Sequence, residues 1–66
     1  MASNTRGKLK EHVEGVHRNT EAIKTHIVKC LVLIQDKNPQ LTKALTTMSE
    51  LNELLDLGAQ TMYETL

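Results

Sequence analysis

From Leu9 onward, apolar or small side chains recur at alternating steps of four and three: Leu9, Val13, Val16, Thr20, Ile23, Ile27, Cys30 and Ile34. This is heptad spacing. It lays all eight side chains along one stripe of a helix, where they can interlock with a similar stripe on a neighbour. The stripe widens at its far end, because the run from Ile27 to Ile34 presents apolar or small side chains on nearly every face, with Lys29 the exception. A helix apolar all round is expected to be buried all round.

Pro39, the only proline, divides the pattern. Asp36, Lys37 and Asn38 form a short polar break, and Asn38 followed by Pro39 fits a helix cap with proline at the first helical position, where its missing N–H costs nothing. The spacing predicts a first helix over about 6–35, a loop at 36–38 and a second helix over about 39–65. A connection this short favours antiparallel neighbours, with facing residue numbers summing to about 75. The first helix has a poorly specified start. Ser3, Asn4 and Thr5 are all candidate caps, but Arg6, Lys8 and Lys10 oppose the positive end of the helix dipole, and fraying through about residue 7 is expected. Gly15 falls at an outward position of the repeat.

In the second helix Leu41, Met48, Leu55 and Met62 occupy the a positions of the heptad and Ala44, Leu51 and Gly58 the d positions. Leu45, Ala59 and Leu66 then fall at e and Leu54 at g. A stripe spanning a, d, e and part of g serves more than one neighbour, as in a bundle, whereas a two-stranded seam uses a and d alone.

Size changes the picture from a helical pair to an assembly. A chain of 66 residues with no Phe, no Trp, one Tyr and one Cys has neither the bulky aromatic core nor the disulfide that stabilises other small domains. The longest uninterrupted apolar run, Cys30 to Ile34, is far below the roughly 20 residues of a membrane span. The first residues lack the apolar segment of a secretory signal, so a reducing compartment, cytoplasm or nucleus, is expected. Formal net charge is zero, but it is unevenly shared. Residues 1–35 carry six basic and three acidic side chains, and residues 39–66 carry one basic and four acidic. Antiparallel pairing would place Arg18 beside Asp56, Lys24 near Glu50 and Glu53, and Lys10 near Glu64.

Candidate chemistry is sparse. His26 and Cys30, four apart on one face, have a spacing that can grip zinc, and two such pairs across a two-fold axis would complete a tetrahedral set. No other residues sit at metal spacing, so the reading adopted is a core thiol beside a flanking histidine, with no metal and no cofactor. His12, His17 and His26 flank the first stripe as polar edge residues that could titrate near neutrality. Thr20 interrupts the stripe, either as a register-setting polar insertion or as a tolerated core threonine. The bases Arg6, Lys8, Lys10, Arg18, Lys24 and Lys29 could form a nucleic-acid face, yet Glu11, Glu14 and Glu21 dilute it and no aromatic lies among them to stack on bases. No glycine-rich phosphate loop and no nucleophile–base pair can be named, so no enzyme activity is expected.

The expected fold is all-α: an antiparallel two-helix hairpin that dimerises into a four-helix bundle or coiled coil, the whole chain forming one unit. The expected role is oligomerisation or docking as a scaffold or adaptor, through a homo-oligomer and a possible second helical protein partner, without membrane contact. The candidate interface is Leu9, Val13, Val16, Ile23, Ile27, Cys30, Leu31 and Ile34 on the first helix, with Leu41, Leu45, Met48, Leu51, Leu54, Leu55 and Met62 on the second. A small dimeric RNA- or DNA-binding regulator using the basic face of the first helix is the alternative.

Overall fold

A computed structural model describes residues 2–66, with side chains from Thr5 onward. Helix α1 spans Ala2–Ile34 and helix α2 spans Pro39–Thr65. The two pack against each other as an antiparallel hairpin, without strands among the described residues. Among the described residues, no helix is long and apolar enough to cross a membrane.

The reversal follows the local chemistry at the polar break. Asn38 takes an extended conformation (φ −135°, ψ 96°), and its side-chain oxygen accepts the Leu41 N–H at 3.1 Å. Pro39 then occupies the start of α2, where helix entry requires no N–H from it. On the other side of the turn, α1 stops at Ile34, because Gln35 and Asp36 enter the left-handed region at φ 53° and 59°. That conformation crowds a side chain and costs roughly 1–2 kcal/mol per non-glycine residue. Backbone bonds from Gln35 N–H to the Leu31 carbonyl and from Lys37 N–H to the Ile34 carbonyl, both 3.1 Å, close the turn.

The start of α1 differs from expectation. The helix is continuous from Ala2, four residues before the predicted start, and no frayed turn precedes Leu9 among the described residues. Arg and Lys are strong helix formers, and their intrinsic preference outweighs a dipole penalty that solvent screens. The three candidate caps therefore fall inside the helix, and the side chains of Ser3 and Asn4 lie outside the described residues. Gly15 also departs from its predicted outward position. It is half-buried, and a Cβ there would meet only the Arg18 guanidinium at 3.8 Å.

The seam between the helices is narrow. On α1 it is made by Val13, Thr20 and Ile27, seven residues apart and each at least nine-tenths buried. On α2 only Ala59 is buried, flanked by the half-buried Thr42, Leu45, Ser49, Asn52 and Asp56. Contacts of Thr20 with Asp56 and of Glu14 with Tyr63 set the antiparallel register to within one turn of the expected one. The result is a rod of 54 × 15 × 13 Å exposing 5416 Å². A compact folded monomer of the same mass would expose about 4,200 Å², so the hairpin leaves roughly 1,200 Å² more in water than its size calls for.

Two substitutions test the local account by thermal melting. Asn38→Ala should cost about 1 kcal/mol by removing the cap of α2. Gly15→Ala should raise stability by about 1 kcal/mol, since the added methyl meets no backbone and favours the helix.

Candidate interaction surface

The inner and outer faces of α2 have exchanged the characters expected of a small folded domain. Along its seam, the residues turned toward α1 recur at three–four spacing: Thr42, Leu45, Ser49, Asn52, Asp56 and Ala59. Most are polar. These are the b and e positions of the heptad, whereas the apolar a and d positions face outward. Leu41, Met48, Leu51, Leu54, Leu55 and Met62 are all exposed, Leu51 at 61 % and Leu54 at 64 %. Of the wide stripe expected on the second helix, the hairpin uses only its e edge.

The seam's polar atoms are organised around Thr20, which is 2 % exposed. Its hydroxyl lies 2.8 Å from both the His17 carbonyl oxygen and Asp56 Oδ1, and its single hydrogen can serve one of them at a time. Asn52 Nδ2 donates to the Thr20 carbonyl at 2.9 Å, which ties the middle of α2 to the α1 backbone. His17 Nδ1 stands 2.6 Å from Asp56 Oδ1. The cross-helix ion pair thus falls one residue from the predicted Arg18–Asp56 pair, because His17 shares the inward edge with Lys24 while Asp56 is held by Thr20. Hydrogen bonding to Asp56, and then its charge, raises the His17 pKa above 6.5. The same bond, with help from Thr20 and Lys24, holds the Asp56 carboxyl below 3.8.

Toward the open end, Tyr63 donates to Glu14 Oε1 at 3.1 Å, and Lys10 Nζ lies 5.7 Å from the centre of the Tyr63 ring. The bond to Glu14 raises the phenol's pKa above 10.0. Between this contact and the Thr20 cluster lies an open groove of about 560 Å³, lined by Val13, Glu14, His17, Arg18, Ala59, Gln60, Tyr63 and Glu64. Among the described residues, donor atoms of His17, Glu21 and Asp56 come within 4.8 Å of one another. A cation there would have to displace the proton shared by His17 and Asp56. His26 and Cys30, the pair weighed for zinc, are both exposed and belong to no such group.

The first-helix candidates divide in the same way. Val13 and Ile27 are buried, Val16 and Ile34 half-buried, and Leu9, Ile23, Cys30 and Leu31 exposed. At the loop end Val28, Val32 and Leu33 join them in solvent, Leu33 at 82 %. On α2, Leu45 is the one candidate that reaches the seam. Sequence reasoning placed Asp56 toward α1, as a partner of Arg18, but missed Asn52 as a seam residue and the bond of Asp56 to Thr20. The signal was present in the second heptad track running through 42, 45, 49, 52, 56 and 59, but it is mostly polar, and an apolar pattern search passes over it.

No protein-family model matches the chain, and neither a curated protein nor a solved structure matches it significantly.

The His17–Asp56 pair predicts a pH window for stability. The raised His17 pKa contributes in full below 6.5 and is lost as pH rises through its folded value. The lowered Asp56 pKa contributes above 3.8 and is lost as pH falls through its folded value. Melting temperature should therefore be highest between these limits. The decline from pH 6 to pH 9 should disappear in His17→Gln, a difference that parallel circular dichroism melts would reveal.

Proposed function

We propose that this chain is a non-enzymatic oligomerisation or docking module, and that its primary occupant is a second copy, giving a four-helix bundle. The observation that carries this reading is the outward apolar face of α2, from Leu41 through Leu51 and Leu55 to Met62, on a helix that turns mostly polar residues toward α1. Exposed apolar patches of this continuity mark interaction surfaces. The surplus of roughly 1,200 Å² over a compact monomer also exceeds the area that a standard interface removes from water, about 800 Å² per partner. Each of these side chains contributes about 1.5–3 kcal/mol when taken from full exposure to full burial, which is large beside the few kcal/mol a small core supplies.

Association rather than chemistry also fits the polar arrangement. The His17–Asp56–Thr20 cluster joins the two helices. A second helical protein could share the surface, since Leu54 and Leu57 lie exposed beside the main stripe. A reducing compartment, cytoplasm or nucleus, goes with the single free thiol of Cys30.

Leu51→Glu separates this reading from a self-sufficient monomer. Leu51 contacts solvent in the isolated hairpin, so a monomer would tolerate the change within about 0.5 kcal/mol. A module that buries Leu51 against a second copy should fall from about twice 7.4 kDa to 7.4 kDa by light scattering and lose most of its helical signal. A wild-type mass of one copy, with a melting temperature indifferent to dilution, would overturn the proposal.

A further inference from the structure

The two outward stripes lie on one side of the hairpin. On α1 the exposed or half-exposed Leu9, Val16 and Ile23 each stand four residues before the seam residues Val13, Thr20 and Ile27. On α2 the exposed Leu41, Met48 and Leu55 stand four residues before the seam positions Leu45, Asn52 and Ala59. An equal step of four rotates each stripe by the same angle in the same sense about its own helix. Because the helices run in opposite directions, those rotations carry both stripes to the same side of the hairpin plane. The hairpin therefore offers one apolar face made by both helices.

Resting on the docking reading above, we propose that two copies stack through this shared face about a two-fold axis parallel to the helices. Both loops lie at the same end, and each α1 sits between its own α2 and the α2 of the second copy. The other closed arrangement, with the axis across the helices, would stack α1 on α1 and α2 on α2 with the loops at opposite ends. Charge selects between them. Over residues 1–35 there are six basic and three acidic side chains, against one basic and four acidic over residues 39–66. Alternating order gives every helix two neighbours of opposite sign, whereas like-on-like order sets the basic helices together and the acidic helices together.

Lys37, exposed in the loop, is a labelling site outside the proposed interface. In a Cys30→Ser, Lys37→Cys chain carrying a spin label, light scattering first gives the mass and pulsed dipolar spectroscopy then gives the distance between labels. With helices 8–10 Å apart in a bundle, loops at the same end predict a label separation under about 30 Å. A dimer whose labels lie near the 54 Å length of the hairpin would overturn the alternating order while leaving self-association intact. A single-copy mass for the labelled and the unlabelled wild-type chain alike would overturn both the arrangement and the self-association it rests on.

Discussion

Thr20 is the residue around which the rest of the hairpin is arranged. It occupies a position where the heptad calls for a large apolar side chain, and it is the least exposed residue described. Its hydroxyl can bond the His17 carbonyl within α1 and its own carbonyl lies mid-helix, yet both also find partners across the seam. Here Asp56 Oδ1 answers the hydroxyl and Asn52 Nδ2 answers the carbonyl. Both partners come from α2 and stand four residues apart, so meeting them fixes the rotation of α2 about its own axis. Once α2 presents Asn52 and Asp56 inward, its leucines and methionines must point out.

That trade explains why a chain with many leucines has so little core. Val13, Ile27 and Ala59 are the buried apolar residues, while a much larger set on α2 and at the loop end remains in water. In a larger domain a third element would cover such a face. In this hairpin none of the described residues does so, which is why its surface exceeds what a compact molecule of its mass would show. The polar seam and the apolar exterior are two consequences of the same rotation.

The same rotation places the ionisable groups. Asp56 draws His17 to it, and the pair spans the helices at a point where Lys24 adds a second positive charge. Further along, Tyr63 reaches Glu14 and lies under Lys10. These contacts are solvent-accessible and individually modest, yet all run from the more basic helix to the more acidic one, and they favour antiparallel over parallel pairing.

Much of this was legible in the residue order. The two helices follow from unbroken three–four spacing, the reversal from Asn38–Pro39, and the antiparallel sense from a three-residue break with opposite charge on its two sides. Backbone hydrogen bonding and proline geometry act over a few residues, so neighbours in the sequence suffice to determine them. The early start of α1 was missed because a dipole penalty that solvent screens was weighed above the helix preference of Arg6, Lys8 and Lys10. The choice of which face of α2 meets α1 was a different matter. Two overlapping heptad tracks run along that helix, one apolar through Leu41 and Leu55, one polar through Asn52 and Asp56, and periodicity alone ranks the apolar one first. Only the tertiary structure decided for the polar track, where Asp56 and Asn52 bond Thr20 across the seam from some thirty-odd residues away.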